Sequence, residues 1–330
     1  MQAVRRFERN REQLLTRAVL LFPGQGTQHI GMGSRVCDIS SETRAVWDCA
    51  SDLAGCDMRR LCFNGPMTQL TDTRYQQVAI TTVNISSLLA LRAQHSFVAL
   101  ATAGHSVGEY AALYASGVLS LQDTLRAVIR RGRLMQELAQ ASAGGMYAIK
   151  GATHQQIVAA IRTLAVEEQV CVANDNTPRQ QVVAGALAPL KRLISELLQQ
   201  GCTPVKLPVS GAWHSPLMRA AASSFRAVLD SLQFNAPSIP LYMNMTASPV
   251  YDAASMRTYL AAHLYSQVRW RETMEALQAL QPSAFVEIGP RKVLGTMLAD
   301  FGDLQATVMH AADLLAGTPA HDCPAATQSA

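Results

Sequence analysis

The apolar positions of this chain fall into short runs separated by helix-length segments of mixed polarity, the alternation that builds an α/β fold around a mostly parallel sheet. Ala18-Val19-Leu20-Leu21-Phe22 is the first run, a predicted buried strand stopped sharply by Pro23-Gly24-Gln25-Gly26. Helical spacing follows over 43–61 and 76–93, and 97–101 forms the next predicted strand. That strand leads into Gly104-His105-Ser106-Val107-Gly108 and a helix-forming run from Glu109. A break at 116–120 precedes a predicted helix from 121 to about 138, with Ser120 as its cap and Asp123 in its first turn.

Beyond a linker-like break at Ser142-Ala143-Gly144-Gly145 the period changes. The pattern predicts strand 146–149, helix 155–164, strand 170–173, a turn at 174–178, strand 181–185, helix 187–200 and strand 203–207. This β-α-β-β-α-β order is that of a ferredoxin-like split unit, inserted in a larger domain. Downstream come strand 239–243 ending in Asn244, helical spacing over 259–266 and 273–280, and strand 284–288 stopped at Gly289-Pro290. The expected architecture is an α/β-hydrolase-like body (18–141 and 209–312) with a parallel-sheet core and a ferredoxin-like insertion (142–208). A polar extension with five arginines (1–17) precedes it, and a small, polar tail (313–330) is expected to be disordered.

Composition narrows the class. Hydrophobic residues make up 49% and charged ones 16% of 330 residues, the profile of a well-packed soluble enzyme. The +4 formal charge is scattered, which suits an acidic ligand and gives no nucleic-acid stripe. No run reaches membrane-span length, and the apolar run 18–22 is too short for a signal h-region. Seven scattered cysteines without a Cys-x-x-Cys or zinc-finger spacing point to reduced thiols in the cytoplasm and to no metal site.

Candidate chemistry concentrates at Ser106. An apolar run, Gly-x-Ser-x-Gly and a helix-forming run are the parts of a nucleophile elbow, where N–H groups at the helix start stabilise an oxyanion. The glycine-rich loop 23–28 lacks the Lys-Ser/Thr of a P-loop. It either turns Gln25 toward the active site from a strand end or is a tight turn with solvent-facing glutamines. On the helix from 121, Leu121, Leu125, Val128, Gly132 and Met135 share one face, and Arg131 stands on its flank. A guanidinium on a packed face needs a carboxylate, from the protein or from a ligand. His214, in the loop Gly211-Ala212-Trp213-His214-Ser215-Pro216 that returns the chain to the main domain, is the candidate base; His29, His95 and His105 compete with it.

Five stretches occur together in order: Phe22-Pro23-Gly24-Gln25-Gly26-Thr27-Gln28, Gly104-His105-Ser106-Val107-Gly108-Glu109-Tyr110, Arg131-Gly132-Arg133-Leu134-Met135-Gln136, Gly211-Ala212-Trp213-His214-Ser215-Pro216 and Glu287-Ile288-Gly289-Pro290. Together they resemble the malonyl-CoA:acyl carrier protein transacylase family, whose members are free-standing enzymes of fatty acid synthesis or trans-acting acyltransferases of polyketide synthases. The resemblance implies Ser106 as nucleophile, His214 as general base and then acid, and Gln25 with the Val107 N–H as oxyanion hole. It implies Arg131 as clamp for the malonyl carboxylate, with Gln77, Met135, Asn176 and Trp213 around the substrate. Trp213 stands where malonyl-selective members carry phenylalanine. The family orients its histidine by a main-chain carbonyl near Arg269, so that backbone carbonyl is the expected partner of His214. Malonyl-CoA and the phosphopantetheine thiol of an acyl carrier protein are the implied substrates, with no bound cofactor, no nucleic acid or membrane partner, and a monomeric enzyme. The same dyad would serve an acyl hydrolase that clears carrier proteins, and a non-catalytic docking scaffold is the rival from another class.

Overall fold

The computed structural model describes residues 17–302 and 304–316; the arginine-rich extension up to residue 16 and the tail beyond 316 lie outside them. The larger sheet contains β1 (Ala18–Phe22) and β2 (Ala99–Gly104) at its centre. The smaller sheet is built from β3 (Gly144–Lys150), β4 (Val170–Thr177), β5 (Gln180–Ala186) and β6 (Thr203–Lys206). The chain then returns to the larger sheet with β7 (Leu241–Met243), β8 (Ser248–Pro249), β9 (Ala284–Glu287) and β10 (Thr307–His310).

The larger sheet runs β10-β9-β1-β2-β7-β8, parallel except for the antiparallel edge strand β8. Both its faces are covered, which is why β1 is apolar without alternation. Leu20 and Phe22 pack into the core that holds helices α1 (Thr73–Gln94), α2 (Gly108–Ala115) and α3 (Leu121–Ala141). Val19 and Leu21 face a second cluster around Trp270, Met274 and Leu277.

The smaller sheet is antiparallel with order β4-β5-β3-β6. Period-two alternation divides its residues. Ile149, Val172 and Val183 pack under helices α4 (His154–Thr163) and α5 (Leu187–Gln199), while Met146, Ala148, Val182 and Ala184 join the main core.

Several elements depart from the sequence pattern, each for a visible reason. The segment 43–61 is two helices, Ser41–Ala54 and Met58–Asn64, because Gly55 ends the first with φ 64° and Asp57 caps the second. β2 lies two residues later than the apolar run: Val98 is exposed, whereas the small residues 101–104 are buried. Gly144 and Gly145 begin β3 instead of breaking the chain; a Cβ on Gly144 would stand 2.8 Å from that of Ala212. The expected turn at 174–178 is mostly strand, since the polar side chains of β4 find partners in the main body. The Asp175 N–H donates to the Val268 carbonyl at 3.0 Å, and Arg271 pairs with the Asp175 carboxylate at 3.0 Å. The predicted disordered tail starts too early: Ala311–Leu314 is a short helix with Leu314 and Leu315 buried.

Candidate active site

The elbow places Ser106 between β2 and α2 with φ 52°. Its flanking glycines are required by contact. A Cβ on Gly104 would lie 2.1 Å from the Gly108 backbone, and one on Gly108 would lie 2.1 Å from the Phe22 carbonyl oxygen. Gly108→Ala is therefore expected to cost about 2–3 kcal/mol of stability, as overpacking against backbone does, read as a lowered urea midpoint.

His214 Nε2 stands 2.7 Å from Ser106 Oγ, with His214 2% and Ser106 8% exposed. His214 also sits at positive φ, 58°, so both residues of the pair hold backbone conformations that their surroundings enforce. His214 Nδ1–H donates to the carbonyl of His263 at 2.8 Å. This corrects the expected role of Arg269, whose carbonyl accepts from the N–H and Oγ1–H of Thr273 at 3.0 and 2.9 Å in the first turn of a helix. His263 follows helix α6 (Ala253–Ala262), which ends four residues before the predicted segment does. Carbonyls at a helix C-terminus have no intrahelical partner, so this one is free for the imidazole. The Arg269 guanidinium pairs instead with Glu272.

Arg131 is fully buried behind Ser106. Its Nη1 donates to Gln77 Oε1 at 2.8 Å and its Nη2 reaches Ser106 Oγ at 3.4 Å. Gln77 Nε2 points at Met135 Sδ, 3.2 Å away, so these two hold the guanidinium in place. Among the described residues no carboxylate lies within ion-pair distance of Arg131. Burial lowers its pKa from the ordinary arginine value.

In front of Ser106 lies a cavity of about 190 Å³ lined by Gln25, His105, Ser106, Asn176, Trp213 and His214, with Met146, Val182, Leu207 and Met297 also on its wall. Gln25 thus faces the site; its side-chain amide donates to Gln76 Oε1, and Asn84 pins the loop through the Pro23 carbonyl at 3.0 Å. Val107 is the N-cap of α2, where N–H groups lack partners within the helix. Asn176 Oδ1 accepts from His105 Nε2 at 2.8 Å. His29 and His95 contact the Thr27 and Leu314 carbonyls, away from the dyad.

Sequence reasoning missed Glu109, Asn244 and His263. Asn244 Oδ1 accepts the Ser106 N–H at 2.9 Å, and its Nδ2 donates to the Gly104 carbonyl at 2.6 Å. Its place at the C-terminal end of a parallel strand was the available signal. Nothing local marked His263.

Burial keeps both histidines of the cavity neutral, holding His105 down to about 4 and His214 well below its ordinary 6.5. The unfolded chain protonates these rings near 6.5 and the folded chain only at lower pH. Stability is then full above about 6.5 and falls as the pH drops toward 4, by on the order of 2 kcal/mol at pH 5 for His105 alone. Urea midpoints at pH 7.5 and 5.0 measure this loss, which is expected to shrink in His105→Gln.

A buried serine–histidine pair on a strand-to-helix turn of an α/β sheet suits chemistry on an acyl group, and residues 19–318 match the acyl transferase domain family, which makes this chain an acyltransferase-family protein. The malonyl CoA-acyl carrier protein transacylase of Haemophilus influenzae is 35% identical over 87% of this chain and 93% of its own. The polyketide biosynthesis malonyl CoA-acyl carrier protein transacylase BaeC of Bacillus velezensis is 36% identical over 83% of this chain and 93% of its own. A solved malonyl-transacylase in complex with the holo acyl-carrier protein of a type II polyketide synthase superposes with TM-score 0.85 at 30% identity, covering 89% of this chain and 96% of that one. The chain belongs to the malonyl-CoA:acyl carrier protein transacylase family.

Proposed function

We propose that the protein carries a malonyl group from malonyl-CoA to the phosphopantetheine thiol of an acyl carrier protein through a malonyl-Ser106 intermediate. The observation that carries this reading is Arg131, a buried guanidinium beside the nucleophile with no carboxylate of the described residues within ion-pair distance. A bidentate carboxylate on the acyl group would answer it.

His214 Nε2 takes the Ser106 hydroxyl proton as Oγ bonds to the thioester carbon. Gln25 and the Val107 N–H face the oxyanion. Collapse breaks the C–S bond, and the imidazolium returns its proton to the CoA sulfur. The second half runs in reverse with the carrier thiol, so both thiols arrive with the substrates and the reaction as written asks for no further cofactor. Trp213 and Asn176, on the cavity wall, shape the acyl site, and Trp213 bears on whether a substituted malonyl group also fits.

The strand order β4-β5-β3-β6 with two helices on one face supports describing 142–208 as a ferredoxin-like insertion in an α/β-hydrolase-like body. Ser106, His214 and Arg131 meet within a single copy of this chain, so a monomer holds the dyad and the clamp, and we assign that state to it. Thiols at Cys49, Cys56, Cys62, Cys171 and Cys202 suit a cytoplasmic enzyme, and no helix among the described residues is long and apolar enough to cross a membrane. The likeness to BaeC and to the type II polyketide synthase complex supports a trans-acting polyketide role beside the fatty acid one.

Labelled malonyl-CoA and acetyl-CoA, each offered with and without holo-carrier, test the proposal. Malonyl label bound to the protein and passed to the carrier is expected. Release of free malonate without transfer would indicate the hydrolase, and no label with Ser106 intact a docking scaffold.

A further inference from the structure

Two buried ionisable groups at the dyad are left over by the acyl-transfer mechanism. Glu109, in the first turn of α2, and His263, just past the end of α6, are each 1% exposed. His263 Nδ1 stands 3.0 Å from Glu109 Oε2. The other carboxylate oxygen, Oε1, accepts from the Asn244 N–H at 2.7 Å and from Asn244 Nδ2 at 3.0 Å. Asn244 in turn holds the Ser106 N–H. On the opposite side, the His263 carbonyl accepts from His214 Nδ1–H, and the two imidazoles lie 4.6 Å apart at 36°. One carboxylate is therefore linked to the nucleophile through Asn244 and to the base through His263.

We propose that Glu109 and His263 are a positioning pair for the reaction. Glu109 fixes Asn244 against the elbow and His263 under the base, and its negative charge favours the imidazolium that forms when His214 takes the serine proton. The proposal rests on the reading of Ser106 and His214 given above.

The geometry separates this role from plain packing. A buried carboxylate is expensive unless it is paired and hydrogen-bonded, and an apolar pair of similar shape would serve packing alone as well. The groups facing His214 are His263 from the end of α6, Arg131 from α3, His105 and Ser106 from the elbow, and Cys171 from β4, whose Sγ lies 3.3 Å from the His214 carbonyl. Arg131 opposes protonation of His214, as His263 and His105 do when they carry charge. Glu109 is the nearby carboxylate that favours it, at two removes.

The test is single-turnover acylation of Ser106 by malonyl-CoA across pH 5–9 in the wild type, Glu109→Gln and His263→Phe. His263→Phe keeps the backbone carbonyl and the flat ring and takes away the partner of Glu109. Both variants are expected to slow acylation tenfold or more at pH 7.5, with the malonyl-CoA concentration at half-saturation within about twofold of the wild type. Glu109→Gln is expected to move the acid limb of the profile to lower pH by half a unit or more, because the imidazolium has lost its nearest favourable charge, whereas His263→Phe is expected to move it to higher pH, because the carboxylate stays and a ring that opposes protonation of His214 is gone. Wild-type rates in either variant, or slowed profiles that superimpose on the wild type after scaling, overturn the proposal. If Glu109→Gln does not fold, His263→Phe carries the test by its slowed acylation and the upward shift of its acid limb. Failure of the wild type to acylate at Ser106 would instead overturn the reading of the site itself.

Discussion

Ser106→Ala is expected to take up no covalent malonyl label and to lose malonyl transfer by roughly 10⁴-fold or more, the scale of removing one member of a nucleophile–base unit. Ser106 Oγ is the only hydroxyl that His214 Nε2 touches among the described residues, at 2.7 Å, and both atoms are shut away from bulk water. The cavity, Arg131 and the loop carrying Gln25 remain in the variant, so binding of malonyl-CoA should persist while turnover disappears. His214→Ala should fall nearly as far, and the double variant little further, because the two residues act as one unit. Single-turnover label uptake and steady-state transfer to holo-carrier measure both effects. Losses that multiply in the double variant would show the two residues acting separately.

Arg131→Met is expected to reduce malonyl transfer by roughly 10²–10³-fold, the range for removing one partner of a buried, hydrogen-bonded charge pair. Acetyl transfer should hold or rise, so that the preference between the two acyl groups reverses. The free enzyme pays for this cation, since Arg131 is fully buried and, among the described residues, its guanidinium donates to the neutral Gln77 Oε1 and Ser106 Oγ with no carboxylate in ion-pair distance. An apolar side chain of similar length removes that desolvation penalty, so stability of the free enzyme should not fall. Urea unfolding and competition between malonyl-CoA and acetyl-CoA give the two readouts. A large loss of stability with unchanged acyl preference would make Arg131 a structural residue.

Much of this site was legible in the chain itself. The elbow was legible at the serine's own neighbours: Gly104 must be small because the Gly108 backbone passes against it within the turn, and Gly108 because the Phe22 carbonyl of β1 does. Arg131 was legible because a cation on the flank of an apolar helix face has to be answered by something. The strands at 18–22 and 284–287 were legible because a parallel strand covered on both faces is apolar throughout.

Other features depended on where helices stop and what then meets them. The carbonyl that orients His214 belongs to His263 because α6 ends at Ala262, whereas that of Arg269 is taken by its own helix. Asn174, Asp175 and Asn176 read as a turn because polar residues usually make one. They lie in a strand because Val268, Arg271 and His105 supply partners from distant parts of the chain. Local composition marked the elbow, the strands and the cation on an apolar helix face, since each shows in residues a few positions apart. Tertiary structure alone decided how His214 is held and how Glu109, Asn244 and His263 meet beneath it, because contacts between residues 49 or more positions apart leave no periodic trace.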